Sequence, residues 1–322
     1  MKVGILSMQQ VNNYGSFLQS YALKHIITGL GHDVQFINIM PGEQLAQYRI
    51  SSFHKTGLLC KRLFVRNPLK MLVCTLKLHQ RFNNEFKPEL GVVAEGECRH
   101  FDVVVIGSDE VFNVAQRTWW GFSPQLFGQG LNSDRVISYA ACFGATTIEI
   151  LKRLGIYDNV GRLMKNFSAL SVRDANSADI VKSYGMHPQI HIDPVLAYSF
   201  ENQTIAPSQY DAHNSRHASH LSHKIDKDYM LVYTYPGRMN HPDEVSAVRK
   251  YAHSKGLRIL SVSNYFSWVD DVVTPHPLEV LELIRKANCI VTDTFHGAVM
   301  SIKYNMIIRM MSVNLFNTIR MF

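Results

Sequence analysis

An imidazole, a guanidinium and two polar turns each follow directly on an apolar run in this 322-residue chain. Residues in that position are the ones that can meet a ligand, because the loops past buried strands open toward a crevice. In Val291-Thr292-Asp293-Thr294-Phe295-His296-Gly297 the histidine stands at an expected helix start. There it can move a proton near neutral pH, in a positive potential that suits an anionic ligand. In Ser171-Val172-Arg173-Asp174 an arginine in the same position can fork onto a phosphate or carboxylate. Gly107-Ser108-Asp109-Glu110 joins a glycine that permits close approach to a hydroxyl and a carboxylate that can bond sugar hydroxyls. Gln9 to Gly15, with Asn12, Asn13, Tyr14 and Gly15, precedes a helix whose N–H groups can hold an anion. Each has a plainer alternative. The turns can be ordinary helix caps, Arg173 can pair with Asp174 or bridge two lobes, and His296 can be a packed helix-start residue.

The elements that carry these residues alternate. Val3 to Met8, Ser16 to Leu30 and Val34 to Ile39 read as strand, helix and strand, with apolar Phe17, Tyr21, Leu23 and Ile27 at helical spacing. Phe101 to Gly107 is an unbroken apolar run, as expected of a strand covered on both faces. Further strands are expected at Arg135 to Ala141 and Ala169 to Val172, with helices at Ile148 to Leu154 and Ala175 to Tyr184. A second alternation runs from Asp228 through helices at Asp243 to Lys255 and Pro277 to Lys286, a strand at Cys289 to Thr292, and a helix at His296 to Tyr304. The expected fold is therefore α/β, with two doubly wound Rossmann-like lobes at 1–200 and 228–322. A polar linker at 201–227 separates them. Its histidines, His213, His217, His220 and His223, are too irregularly spaced to predict a metal site.

Between Lys55 and Lys87 eight cations meet a single acid, Glu85. This basic segment is expected to be a helical insertion in the first lobe, and its cations alternate with leucines. Two readings stay open: weak association with an anionic membrane surface, or a helix pair packed by its apolar face on the first lobe. The net charge of +7 suggests an anionic partner, and no nucleic acid is expected. Five scattered cysteines form no zinc spacing and are expected to be reduced. No apolar run approaches the roughly 20 residues of a membrane span, and the N-terminus lacks the pattern of a secretion signal. The reading is a cytoplasmic protein, peripheral at most to the inner face of the membrane.

Five segments together resemble polysaccharide pyruvyl transferases in order and spacing. They are Asn12-Asn13-Tyr14-Gly15, Ile106-Gly107-Ser108-Asp109-Glu110-Val111-Phe112-Asn113, Ser138 to Gly144, Ser171 to Asp174, and Thr292 to Gly297. The resemblance runs from Met1 to about Asn305. It implies a fold like the two-lobed GT-B glycosyltransferases, phosphoenolpyruvate as donor, a glycan or lipid-linked saccharide as acceptor, and no cofactor or metal. It makes His296 the histidine of the donor site and Arg173 the arginine that engages the donor's anionic groups. Asn12, Asn13, Ser108 and Asp109 then line the acceptor side, with Tyr14, Gly15, Thr294, Phe295 and Gly297 as further binding residues. Some members carry an arginine two residues before the histidine. Here that position is Thr294, which leaves Lys303 or Arg309 as substitutes. Members usually continue beyond the position of Phe322, so the second lobe is expected to be incomplete at its C-terminus. The rival readings are a nucleotide-sugar glycosyltransferase of the same architecture and an inactive glycan-binding remnant.

Overall fold

The computed structural model describes residues 1–45, 67–92, 100–116, 118–201 and 228–304, and the backbone of 308–309. Its described residues fall into two compact units, one of 1–45, 87–92, 100–116 and 118–199, the other of 67–86, 200–201, 228–304 and 308–309.

The first unit is built on six parallel strands: β1 Lys2–Leu6, β2 Asp33–Phe36, β3 Phe101–Asp109, β4 Ser133–Ala141, β5 Ser171–Val172 and β6 Gln189–Ile190. They lie in the order β2-β1-β3-β4-β5-β6. Helices α1 Tyr14–Gly29, α2 Ile148–Arg153, α3 Tyr157–Met164, α4 Ala175–Ser183 and α5 Pro194–Ala197 make the crossovers and close the unit. The apolar runs behave as central parallel strands must, since Val104 and Ile106 are fully buried. A phenylalanine cluster fills the space beside β3 and β4, with Phe112 stacked on Phe127 at 5.1 Å and tilted against Phe143 at 5.2 Å. The order in which strands are added reverses about β1, because β2 lies on one side of it and β3 on the other. The carboxyl ends of β1 and β3 thus form the switch point where such sheets bind ligands.

The second unit repeats this logic with five parallel strands, β7 Tyr229–Tyr233, β8 Arg258–Val262, β9 Asp271–Val273, β10 Cys289–Thr292 and β11 Ile308–Arg309. Their order is β11-β10-β7-β8-β9, which puts the switch point between β7 and β10. The crossover helices are α6 Pro242–Ser254, α7 Pro277–Lys286 and α8 Phe295–Lys303. All five residues of β7 and all four of β10 are buried. α7 starts where a capping box fixes it: the His276 ring accepts from the backbone N–H of Leu278 (3.3 Å) and Glu279 accepts from that of His276 (2.6 Å).

The basic segment departs from expectation. Its described part is a helix, Pro68–Arg81, that runs on through Phe82–Phe86, and it groups with the second unit rather than the first. Specific contacts explain this. Phe82 and Phe86 are fully buried, Phe86 sits edge-on against the His276 ring at 5.1 Å, and Arg81 donates to the carbonyl of Thr274. The linker at 202–227, its histidines and the start of the basic segment lie outside the described residues. No helix among the described residues is long and apolar enough to cross a membrane.

Candidate functional site

In the first unit the structure gathers four of the motif segments at the carboxyl ends of β1, β3, β4 and β5. Asn13 is the N-cap of α1, its side chain accepting from the N–H of Gly15 at 2.7 Å, and Tyr14 and Gly15 are buried in the first turn. Asn12 is half-buried in the preceding turn. A chain of hydroxyls crosses the switch point. Gln19 donates to Ser7 Oγ (2.8 Å), Ser7 to the carbonyl of Ser108 (3.1 Å), Ser108 Oγ to Asp193 (3.1 Å), and Ser16 Oγ to Asp109 Oδ2 (2.9 Å). β4 closes the other side, with the N–H of Phe112 bonded to Cys142 O (3.1 Å) and that of Cys142 to Asp109 O (3.0 Å).

Two backbone features mark this turn. A Cβ on Gly107 would sit 2.3 Å from the carbonyl oxygen of Tyr139, so only glycine lets β3 and β4 approach as they do. Asp109 follows with φ of 74°, a conformation that strains a residue with a side chain and persists only where its surroundings enforce it. The surroundings here are the Ser16 hydroxyl and Arg173.

Arg173 lies in this cluster, its side chain 6% exposed, with Nη1 donating to the fully buried side chain of Asp193 (3.0 Å) and 3.7 Å from Asp109 Oδ1. Burial works against its charge, but the neighbouring acids, Asp193 and Asp109 among them, overcome that and hold the guanidinium more firmly protonated than usual. The carboxylates it is seen to face are thus Asp193 and Asp109. Asp174 caps α4 instead, accepting from the N–H and hydroxyl of Ser177 at 2.8 and 3.0 Å. Glu110, next along the turn, accepts from Asn113 and Gln116. Burial pushes the Cys142 thiol well up, which disfavours its thiolate form.

His296 belongs to the second unit, where the Thr292 to Gly297 segment stands at the switch point between β7 and β10. Thr294 is the N-cap of α8, its Oγ1 accepting from the N–H of Gly297 at 3.0 Å, while Thr292 Oγ1 lies 3.0 Å from Thr294 Oγ1 and accepts from its N–H at 3.1 Å. His296 is 5% exposed in the first helical turn, and the Phe295 ring meets it edge-on at 5.3 Å. Gly297 is obligatory for this packing, since an added Cβ would lie 2.1 Å from Thr292 Oγ1. Across the switch point Thr234, just past β7, bonds Asp293 at 2.5 Å, and Asn264 past β8 donates to the Thr234 carbonyl at 2.9 Å.

Arg238 was not singled out by its sequence, yet it reaches the same point. Its guanidinium lies over the Tyr235 ring at 5.1 Å and donates to the Asp293 carbonyl at 3.4 Å, with its side chain 52% exposed. A cation shortly after a buried strand and next to Gly237 was the signal available. Lys303, offered as a substitute cation, stands at the opposite end of α8, over the Phe200 ring at 5.6 Å. Seven residues of helix, roughly 10 Å of rise, separate it from His296. Arg309 pairs in register with Val291 on the neighbouring strand.

The architecture is that of known GT-B-like proteins. A protein from Listeria monocytogenes assigned as a UDP-N-acetylglucosamine 2-epimerase superposes with a TM-score of 0.50 at 9% identity, over 99% of this chain and 81% of its own. The UDP-GlcNAc 2-epimerase of Methanocaldococcus jannaschii gives 0.49 at 12% identity, over 99% and 87%. At such identities the likeness concerns the fold alone. No curated protein matches the sequence. The family model of polysaccharide pyruvyl transferases, by contrast, matches residues 13–305, which takes in four of the five motif segments whole, the first from Asn13 on, and every strand of the two sheets except β1 and β11. The chain belongs to the polysaccharide pyruvyl transferase family.

Proposed function

We propose that this protein transfers the enolpyruvyl carbons of phosphoenolpyruvate to a sugar of a cell-envelope or extracellular glycan, free or lipid-linked, as a ketal, with release of phosphate. The observation that carries the reading is the position of the family's histidine segment at the switch point of its own sheet, on the first turn of a capped helix. The chemistry needs a proton delivered to the methylene carbon, attack by one sugar hydroxyl on the adjacent carbon, loss of phosphate, and attack by a second hydroxyl. His296 is the group suited to the proton, since imidazole titrates near neutrality and the helix start favours an anion beside it.

The donor's anionic groups fall to the first turn of α8 and to Arg238, which lies half-exposed beside Asp293. Arg173 suits that role less well than its sequence suggested. Its side chain faces Asp109 and Asp193, with Glu110 nearby, so formal negative charge already outweighs its own. It serves as a positioning residue that holds Asp109 and Ser108, whose carboxylate and hydroxyl accept the acceptor sugar's hydroxyl groups together with Asn12 and Asn13.

The test is phosphate release from phosphoenolpyruvate by the purified full chain across a panel of cell-envelope glycans. Release that depends on one glycan and leaves an acid-labile pyruvyl ketal on it is the expected result. Nucleotide release from a sugar nucleotide, with phosphoenolpyruvate untouched, would replace this reading with glycosyl transfer.

A further inference from the structure

The helix Pro68–Arg81 turns its apolar residues to solvent. Leu69, Leu72, Val73 and Leu76 recur at i, i+3, i+4 and i+7, which puts them on one stripe, and they are 74%, 49%, 42% and 59% exposed. None of the helix's residues is buried, although it is tied to the second unit at both ends. Asn67 donates to the Tyr265 hydroxyl at 3.2 Å, the Lys70 ammonium lies over the same ring at 5.5 Å, and at the other end Arg81 and Phe86 hold Thr274 and His276. The helix is therefore fixed on the lobe with its leucines outward. An ordered apolar stripe of this kind marks a surface that something covers.

Charge identifies the covering partner. Between Lys55 and Lys87 stand eight of the chain's 33 Lys and Arg and one of its 26 Asp and Glu, which leaves 25 of each sign elsewhere. This segment thus carries the whole formal net charge of +7. Lys70 and Lys77, seven residues apart, line one edge of the stripe. A second copy of the chain would bring like charge against like charge, and a nucleic acid would use the cations but not the leucines. An anionic bilayer uses both, because leucines enter the boundary of the acyl chains while lysines meet the headgroups.

We propose that this helix docks the protein, leucine stripe inward, on the surface of a membrane rich in anionic lipid. The inference goes beyond pyruvyl transfer and does not depend on it. Flotation of the purified full chain with phosphatidylcholine vesicles, and with vesicles containing a third phosphatidylglycerol, reads it directly. At low salt, binding to anionic vesicles exceeds binding to neutral ones at least tenfold and weakens as salt rises. Leu72→Glu with Leu76→Glu lowers binding by about a hundredfold or more, each leucine's burial being worth about tenfold. Lys77→Glu, on an exposed side chain that leaves the fold intact, lowers it by about tenfold. Matched thermal melts establish that the variants fold. Equal binding to the two kinds of vesicle overturns the proposal. So does full binding by the folded leucine variant, or a parent dimer that this variant splits while the parent ignores anionic vesicles.

Discussion

At the scale of residues three side chains, His296, Arg238 and Arg173, and the groups that face them decide the chemistry. His296→Gln keeps a polar side chain on the first turn of α8 but cannot deliver a proton, so turnover should fall by about 10²–10⁴-fold while donor affinity changes little. Steady-state phosphate release combined with phosphoenolpyruvate titration separates the two quantities. Arg238→Ala should instead weaken donor binding by about tenfold to a hundredfold, the range of a hydrogen bond to a charged group. Arg173 is expected to behave as neither. Arg173→Lys keeps the charge but loses the planar fork beside Asp193 and Asp109, and Asp193→Asn leaves the buried guanidinium short of its closest carboxylate. The latter should lower stability by about 1.5–3 kcal/mol in denaturant unfolding, the range of a hydrogen bond to a charged group, and both should raise the KM for acceptor rather than for donor. A large loss of donor affinity in a fully stable Arg173→Lys protein would return this residue to the clamp. Its sequence neighbourhood had singled out Arg173 but could not show Asp193 as its partner. Asp193 lies twenty residues further on, past β6, and only the pairing of β5 with β6 brings the two together.

At the scale of elements, the α8 start is the part whose sequence and geometry agree most closely. Thr294→Ala removes the N-cap and should cost about 1 kcal/mol, seen as a lower midpoint in urea. Gly297→Ala pushes a methyl group into Thr292 Oγ1 and should cost on the order of 1–3 kcal/mol. If Gly297→Ala unfolds at the parent's midpoint, the tight packing described at this turn is wrong. The buried strands β1, β3, β7 and β10, and the longer helices, were legible because unbroken apolar runs and helical periodicity are local signals. Strand β5 was expected within Ala169 to Val172, whereas β6 has two residues and β9 three, too short to leave a pattern, so their existence depends on neighbours already in the sheet. The helix Pro68–Arg81 shows the opposite failure. Its amphipathic pattern was plain, but the pattern cannot say which way the apolar face points, and the ties to Tyr265 and Thr274 turn it outward.

At the scale of the molecule, two parallel sheets each reverse their strand order about a pair of strands, and segments singled out in the sequence fall at both reversals. The sequence could place those motifs after strands. It could not order the strands, so the bond between Thr234 and Asp293 across a switch point, and the arrival of Arg238 there, emerged only from the pairing of β7 with β10. The central claim is that the chain consumes phosphoenolpyruvate. Its most direct test follows 13C-labelled phosphoenolpyruvate with the purified chain and a cell-envelope glycan, recording free phosphate and the ketal carbon resonance together. The account predicts one ketal formed for each phosphate released, with both signals lost in His296→Gln. Phosphate released without any ketal, or ketal formation that survives intact in His296→Gln, would contradict it.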